Sequence, residues 1–525
     1  MRGWKIVGLA LAAVLVPSLV SCSRHSAAVT QVVELVAQAD AAPTPKLDWA
    51  QCHEAELSKY QCATAAVPID YAQPNGATLS LAVVKQPAAD KDRRIGTLFS
   101  AVGGPGGSGF NWASHGALSA GEVARRFDVI TFDQRGIGRS GQVRCFANSQ
   151  EQHRFWSAIR LPPANAEQEA AAARSARDLA AGCAAHSPEL LPHLTTVDAA
   201  RDLDLLRRAV GEATMTYTGG SYASYLGEVY GAMFGDRVRA LQLGSMIDPD
   251  AYTNDSRAQI ADSAAGTEAV LAEFLRLCAE AGQPRCVFAG PTKTDAAALR
   301  VRNDAVMDRL RQGPIVVGQG ERARAVTLTE VLPAHATMLY DTKEGWPALA
   351  ELLTELERGP AGNPDVVQQI LDAGGFTEDF LDAFTAISCA DNRFGREPEQ
   401  WPAMADELAG VAPHYGAMWL YLRQACGAWP ASAEGYPQRI TGPWILRSDK
   451  PALLFNNRFD PVTPLTAARR AQQELVNARL VIIEGGYGHL VVSDCAGRLQ
   501  EHYLVDLQLP APGATCKPDR PPFAD

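Results

Sequence analysis

The sequence predicts an α/β protein, in which a mostly parallel sheet carries helices on both faces and a helical cap is inserted between its early and late strands. Short apolar runs of β type alternate with helical stretches over the first half of the chain. The section from Asp250 to Pro443 is instead rich in Ala, Leu and Glu at helical spacing, and strand-like runs return only after it. Buried strands that alternate with helices are typical of parallel sheets covered on both faces.

The chain begins with a targeting segment. A short basic region precedes an apolar stretch from Ile6 to Val20, which is too short for a comfortable membrane span and is interrupted by Pro17. The stretch ends in Leu19-Val20-Ser21-Cys22, which resembles the lipobox of bacterial lipoproteins. We predict a signal peptide over residues 1–21, a lipid on Cys22 and export to a membrane surface. An ordinary secretory signal with an unmodified Cys22 is the alternative.

The remainder of the chain is divided by its changes in pattern. Residues 22–45 are Ala-rich and polar, and we interpret them as a tether. We assign residues 46–249 to the first part of the sheet domain, 250–443 to the cap and 444–525 to the second part of the sheet domain. The runs assigned to strands are 97–102, 127–132, 215–218 and 240–243 before the cap, and 451–455 and 480–483 after it.

The cysteine content favours an oxidising compartment. Eleven cysteines are present, and setting Cys22 aside leaves ten, an even number that suits disulfides. A zinc site is the competing interpretation, but neither a CxxC pair nor an HExxH segment is found, so we predict no metal. We hypothesise that neighbours in sequence pair: Cys52 with Cys62, Cys145 with Cys183, Cys278 with Cys286, Cys389 with Cys426, and Cys495 with Cys516.

The charge of the chain argues against one class of partner. The formal net charge is −11, and the sequence contains no long basic run. Nucleic acid is therefore not expected as a partner.

Three predicted strand ends carry the groups of a nucleophilic hydrolase. Ser221 lies in Gly219-Gly220-Ser221-Tyr222-Ala223, between a strand and an apolar helix, where a tight nucleophile elbow needs small residues on both sides. Asp460 follows a later strand, and His489 ends the glycine-rich Gly485-Gly486-Tyr487-Gly488-His489. Each alone has a structural interpretation, such as a helix N-cap for the serine. Their chain order predicts the α/β-hydrolase fold, with Ser221 as nucleophile, Asp460 as orienting acid and His489 as base.

A glycine-rich loop follows the run that ends at Val102. It contains a G-x-G-x-x-G pattern from Gly104 to Gly109, so a dinucleotide site is the competing interpretation. Pro105 removes an N–H group from that loop, and a dinucleotide site would leave the three hydrolase residues unexplained. We predict instead an oxyanion hole made by main-chain N–H groups of Gly103, Gly104 and Tyr222, and no cofactor.

Taken together, these motifs resemble the secreted tripeptidyl aminopeptidases, which are relatives of the proline iminopeptidases and are often cell-envelope lipoproteins. The resemblance runs from about Trp49 to the C-terminus and implies a TAP-like region from about Cys426 onward. Family members often have Gly where Ala223 stands. The residues that carry the resemblance are Gly103-Gly104-Pro105-Gly106, Asp133-x-Arg135-Gly136-x-Gly138-x-Ser140, Gly219-Gly220-Ser221-Tyr222, Asp460-Pro461-x-Thr463-Pro464 and Gly488-His489.

The resemblance implies a serine peptidase that acts on peptide or protein substrates and releases tripeptides from free N-termini. Such an enzyme needs a carboxylate for the substrate ammonium. Thr463 is a candidate pocket residue, with a helix-start role as its alternative. A carboxylesterase or lipase with the same triad, and a catalytically inactive envelope binding protein, are the competing hypotheses. The candidate acids of the cap are Glu268, Glu273, Glu378, Asp379 and Asp382.

Overall fold

The structure, a computed structural model, describes residues 30–392, 394–395, 400–430 and 435–524. The signal segment and Cys22 lie outside these residues. In chain order the strands are β1 Ala50–Gln51, β2 Gln61–Pro68, β3 Thr78–Gln86, β4 Gly96–Ala101, β5 Phe127–Phe132, β6 Met215–Gly220, β7 Val238–Gly244, β8 Ile315–Val317, β9 Arg324–Val326, β10 Ala452–Phe459, β11 Ala478–Tyr487 and β12 Thr515–Cys516.

The helices surround this sheet and fill the section between β7 and β10. They are α1 (residues 30–41), α2 Gly109–Ser114, α3 Gly121–Arg126, α4 Ser149–Ala158, α5 Ala166–His186, α6 Thr196–Ala209, α7 Tyr222–Phe234, α8 Pro249–Asn254, α9 Ser256–Ala281, α10 Ala296–Gln312, α11 Leu328–Met338, α12 Gly345–Arg358, α13 Pro364–Gly374, α14 Glu378–Asp391, α15 Trp401–Ala409, α16 Gly416–Tyr421, α17 Gln424–Gly427, α18 Leu465–Leu475 and α19 Asp494–Asp506.

Ten strands form one sheet in the order β1-β2-β3-β5-β4-β6-β7-β10-β11-β12. The pairs β1–β2, β2–β3 and β3–β5 are antiparallel, whereas all pairs from β5 through β12 are parallel. The α/β class, the mostly parallel sheet and the α/β-hydrolase fold are therefore confirmed. Because β6, β10 and β11 run in the same direction, their carboxyl ends meet at one edge of the sheet.

The prediction of a tether over residues 22–45 is wrong for its described part. Residues 30–41 form α1, in which Val32, Leu35 and Ala39 are buried in the main hydrophobic core. Arg208 of α6 donates hydrogen bonds to the carbonyl oxygens of Ala39 and Ala42, at 3.1 and 3.0 Å. The apolar positions are helically spaced, but the helix is stabilised by packing against distant α6 rather than by its own composition.

The regular structure of the described residues between β7 and β10 is helical apart from one hairpin. Residues 315–326 contain an antiparallel hairpin, β8–β9, in a section where the sequence pattern predicted only helices. The hairpin buries Ile315, Val317 and Val326 in a hydrophobic core that these helices mostly form. Three-residue strands give too short an alternation to stand out in the sequence. The boundaries of the cap at residues 250 and 443 stay a prediction from the sequence.

Two observations concern the environment of the protein. The structure joins the same five cysteine pairs that sequence proximity suggested. No helix in the described ranges is both long and apolar enough to cross a membrane.

Candidate active site

Ser221 stands in a strained turn between β6 and α7. Its backbone angles are φ 60° and ψ −133°, a region that non-glycine residues rarely occupy. The Ser221 N–H donates to the carbonyl oxygens of Gly244 and Ser245, at 3.1 and 3.2 Å, which are located at and just after the end of the neighbouring strand β7. The sheet therefore holds this residue in the geometry of a nucleophile elbow.

The elbow accommodates Ala223 because position 219 is glycine. A Cβ atom at Gly219 would lie 2.6 Å from the Ala223 carbonyl oxygen and 2.9 Å from the Ala223 Cβ. The Tyr217 hydroxyl donates to the same Ala223 oxygen at 2.7 Å and closes the remaining space. The extra methyl of Ala223 is thus compatible with the turn.

Asp460 and His489 form a hydrogen-bonded pair at the ends of β10 and β11. The His489 Nδ1 atom lies 3.0 and 3.1 Å from the two Asp460 carboxylate oxygens. Asp460 is almost fully buried, and its Oδ1 also accepts from the N–H groups of Val462 and Thr463, at 3.0 and 2.9 Å. With Nδ1–H donating to Asp460, the Nε2 atom of His489 is free to accept a proton.

The loop that carries His489 is held from the sheet and from the cap. Asn457 of β10 donates through Nδ2 to the carbonyl oxygens of Gly488 and Leu490, both at 2.9 Å. The His489 N–H donates to the Tyr340 carbonyl oxygen at 2.8 Å, and the two rings meet edge to face at 5.1 Å. Sequence reasoning missed both supports. Asn457 left a signal as part of the polar stretch Asn456-Asn457-Arg458 that interrupts the apolar strand β10, whereas Tyr340 left none.

The glycine loop after β4 lies against Ser221. A Cβ atom at Gly103 would stand 2.9 Å from the Ser221 Cβ. Gly104 and Gly106 have φ of +126° and +116°, and a Cβ atom at Gly104 would lie 3.0 Å from the ring of Phe380 on α14. The loop therefore needs glycine both for its backbone angles and for the close approach of α14.

Asp133 fixes the far end of this loop. It accepts from the Ser108 hydroxyl at 2.7 Å and from the Phe110 N–H at 3.2 Å, and its other oxygen accepts from the Arg139 N–H at 2.9 Å. Arg135 is buried in a two-point ion pair with Asp202, at 2.6 and 2.7 Å. Both residues hold loops in place.

Tyr222 and Thr463 lie beside Ser221 and His489 in different ways. Tyr222 is the first residue of α7, so its main-chain N–H has no acceptor within the helix. Its side chain points away into the core, where its hydroxyl contacts Thr196. Thr463 lines the cavity, and its hydroxyl oxygen lies 3.5 Å from His489 Nδ1.

Ser221, His489, Thr463 and the glycine loop share one cavity of about 470 Å³. Its lining is mostly apolar and aromatic, and the described lining residues include one cation, Arg423, and no carboxylate. The cap supplies most of the apolar surface, together with α4. Those apolar residues include Trp156, Ile159, Leu161, Phe376, Phe380, Leu381, Phe384, Met418, Trp419 and Leu422.

None of the five candidate acids of the cap is among the described lining residues. Asp382 contacts the lining indirectly, because it accepts at 2.9 Å from the indole N–H of Trp156, a lining residue. Burial raises the pKa of Asp382 to about 7 against the opposing effect of Trp156. The other four acids contact His414 (Glu268), Arg276 (Glu273), His153 (Glu378) and Gln152 (Asp379).

No group of three or more His, Cys, Asp or Glu residues in the described ranges could hold a metal ion.

Comparisons with known proteins agree with this geometry. A family model described as TAP-like protein matches residues 412–516, beginning ahead of Cys426, and one described as alpha/beta hydrolase fold matches residues 102–274. The chain is 28% identical over 492 residues to a tripeptidyl aminopeptidase of Streptomyces lividans, covering 91% of this chain and 87% of that protein.

Two mycobacterial relatives extend the comparison. A protein of Mycobacterium tuberculosis named carboxylesterase B is 30% identical over 497 residues, covering 90% of each chain. The serine protease Hip1 of the same species is 27% identical over 481 residues, covering 87% of each. The chain therefore belongs to the α/β-hydrolase family that includes the tripeptidyl aminopeptidases and carries a TAP-like C-terminal region, and it is a serine hydrolase.

Proposed function

We propose that this protein is an exported serine peptidase that releases short peptides, tripeptides among them, from free N-termini through an acyl-enzyme on Ser221. The observation that carries the proposal is the meeting of the strained Ser221 elbow, the His489–Asp460 pair and the glycine loop at one cavity. A tripeptidyl aminopeptidase and a serine protease among the relatives support peptides as the substrate.

In the proposed mechanism the Ser221 hydroxyl oxygen attacks the carbonyl carbon of the substrate while His489 Nε2 accepts the proton. Asp460 holds the imidazole through Nδ1 and stabilises the imidazolium that forms. The tetrahedral intermediate then collapses, and His489 returns the proton to the departing amine. Water, deprotonated by the same imidazole, attacks the acyl carbon and releases Ser221 with its proton restored.

The developing negative charge requires hydrogen-bond donors beside Ser221. The main-chain N–H of Tyr222, at the N-terminus of α7, is one proposed donor, and the glycine loop at Gly103 and Gly104 supplies the other. A helix N-terminus also favours negative charge electrostatically. Loss of one such donor typically raises the barrier by about 3 kcal/mol.

Carboxyl ester hydrolysis is the second candidate, and one observation favours it. The described lining of the cavity contains no carboxylate to bind a substrate ammonium, whereas its apolar surface suits an acyl chain. A relative named carboxylesterase B is consistent with this candidate. The same triad and the same acyl-enzyme serve both reactions.

A panel of reporter substrates separates the two candidates. We expect release of the fluorophore from unblocked tripeptidyl aminomethylcoumarins, with N-acetylated tripeptides at least about tenfold poorer in kcat/KM. Hydrolysis of p-nitrophenyl acyl esters with no turnover of any peptide would favour the esterase. Ser221→Ala serves as the control in every assay, and retention of near-wild-type activity by that variant would overturn the mechanism itself.

We also propose that the mature protein is attached to a membrane surface through a lipid on Cys22. Five disulfides fit an exported protein. Metabolic labelling with an alkyne fatty acid should mark the wild-type protein and not Cys22→Ser. Equal labelling of both, or of neither while the protein is exported, would contradict the lipid anchor.

A further inference from the structure

Arg423 brings a cationic group to the catalytic cavity. It immediately precedes α17, is only 6% exposed, and lines the cavity together with Ser221 and His489. No carboxylate of the described residues lies within 4.0 Å of its guanidinium. Asp391 acts on it electrostatically from farther away, and both Asp391 oxygens accept hydrogen bonds from Thr196, at 2.7 Å.

Other buried arginines of this protein are handled differently. Arg135, Arg201 and Arg207 are between 0% and 7% exposed, and each forms an ion pair with an aspartate of α6. Removing a guanidinium from water is unfavourable by several kcal/mol unless a counter-charge compensates for it. Arg423 is as buried as these three residues but has no carboxylate of the described residues at ion-pair distance, which suggests that its partner comes from outside the chain.

Other polar atoms near Arg423 are also unpaired. The Nη1 atom of Arg423, the hydroxyl of Tyr252 and the hydroxyl of Ser388 are buried without a hydrogen-bond partner in the described residues. Tyr252 also lines the cavity. Burial raises the pKa of the Tyr252 phenol, while polar contacts with Ser388 and Arg423 oppose that rise, so the three groups touch one another without reaching the geometry of full hydrogen bonds. All three can donate hydrogen bonds, and a carboxylate is a ligand that accepts from such a set.

A row of aromatic side chains extends from the polar groups around Arg423 to the solvent. Phe376, Phe380 and Phe384 stack in sequence, with ring centroids 4.8 and 5.9 Å apart. Phe376 is 42% exposed, whereas Phe384 is buried and carries the Arg423 guanidinium 4.4 Å above its ring. An apolar segment of a substrate that lies along this row would place its end at Arg423.

We propose that Arg423 is a specificity residue that binds a carboxylate of the substrate, so that the enzyme prefers substrates with an apolar segment and a carboxylate. This inference rests on the proposed function of the same cavity. The carboxylate comes either from an acidic group on the acyl part or from the free C-terminus of a short peptide, and both present the same two oxygens to the guanidinium.

Matched substrate pairs test the proposal on the full-length protein. One pair is p-nitrophenyl hemisuberate and its methyl ester, a second is a tripeptidyl aminomethylcoumarin with Glu or Gln at each position in turn, and a third is a tetrapeptide with a free or an amidated C-terminus. We expect the carboxylate member of at least one pair to be preferred by about tenfold to a hundredfold in kcat/KM. The first two pairs report an acidic acyl part, and the third reports the C-terminus.

Two variants connect the preference to this side chain. Arg423→Met removes the charge but keeps an apolar stem over Phe384, and the preference should fall to nearly onefold. Arg423→Lys should restore part of it. Arg154→Met removes an exposed arginine of α4 and should leave the preference unchanged. A purely structural role for Arg423 predicts that both members of every pair decline together, so that the ratio is preserved.

Binding without turnover keeps the test independent of the catalytic proposal. Calorimetric titration of the Ser221→Ala protein with the same pairs should show tighter binding of the carboxylate member, and the double variant with Arg423→Met should lose it. The inference is overturned if neither turnover nor binding discriminates within any pair, or if Arg423→Met retains the discrimination. Failure of the proposed function instead appears as turnover that survives Ser221→Ala.

Discussion

Gly219 shows how a single missing methyl shapes the nucleophile elbow. A Cβ atom there would meet the Ala223 carbonyl oxygen at 2.6 Å and the Tyr217 hydroxyl at 2.7 Å. Both of these atoms are fixed, one by the helix backbone and the other by its hydrogen bond to that same oxygen. The methyl can be accommodated only if β6 and α7 move apart and displace Ser221.

We therefore expect Gly219→Ala to reduce kcat by about a hundredfold or more, because small displacements of a reacting group have effects of that size. The thermal midpoint should fall at the same time. Gly116→Ala is the matched control, since a Cβ atom at Gly116 would meet nothing within 4 Å. A Gly219→Ala enzyme with wild-type kcat would show that the elbow tolerates bulk that the geometry excludes.

A substitution at Asp460 can disturb the orientation of the His489 ring without disturbing the fold of the loop. Asp460→Asn preserves an oxygen that accepts from the N–H groups of Val462 and Thr463, but its amide favours the wrong histidine tautomer. Kinetics should show kcat lowered by about 10⁴-fold, with circular dichroism unchanged. A loss below about tenfold would remove Asp460 from the proposed triad.

At the scale of elements, α7 and α18 bring carboxyl groups together away from solvent. Glu228 of α7 is fully buried, and neither of its oxygens has a hydrogen-bond partner in the described residues. Burial raises its pKa well above the ordinary value, and the charges of Glu474 and Asp248 raise it further. The pKa of Glu474 is raised to about 8, mainly by burial and then by Asp248 and Asp250.

This pair makes the stability of the folded protein sensitive to pH. Below the ordinary glutamate pKa, about 4.3, both the folded and unfolded states are protonated and the raised pKa has no effect on stability. Between that value and the raised one, the unfolded chain loses protons that the folded protein keeps, so the free energy of unfolding falls as pH rises. Above the raised pKa the decline levels off.

Urea denaturation of wild type and Glu474→Gln at several pH values measures this effect. We expect the free energy of unfolding of the wild type to decline between about pH 5 and pH 8, and the variant to decline less, because one of the titrating groups is gone. Glu56→Gln, at an exposed position, should follow the wild type. Parallel curves for wild type and Glu474→Gln would contradict this origin of the pH dependence.

At the scale of the whole molecule, the features predictable from sequence were those with a local signal. Ser221, Asp460 and His489 each follow an apolar strand and lie beside glycine or proline, so strand ends and chain order were enough to bring them together. The helix over residues 30–41 was missed, since its stability depends on distant partners. Arg423 was missed because what distinguishes it is that no carboxylate of the described residues lies at ion-pair distance, and only the folded chain shows this.

Two of the disulfides differ in where they lie relative to the cavity. Cys389–Cys426 joins α14 to α17 across 37 residues, and Cys278–Cys286 closes a stretch of 8 within the cap. The first bridge lies between the helix that carries Phe380 and Phe384 and the segment that carries Arg423. Both cysteines of the second bridge are buried in the hydrophobic core of the cap.

Removal of each bridge by paired Cys→Ala substitution should therefore have different consequences. Chain-entropy estimates give a loss of about 4 kcal/mol for Cys389–Cys426 and about 2.5 kcal/mol for Cys278–Cys286. We expect the first variant also to lose about tenfold or more in kcat/KM, because α14 and Arg423 would no longer be held in register around the cavity. The second should keep its activity while it remains folded. Guanidinium denaturation and kinetics on both variants distinguish this selective loss of activity from a uniform destabilisation. In a uniform destabilisation, the activity of each variant would follow its stability alone.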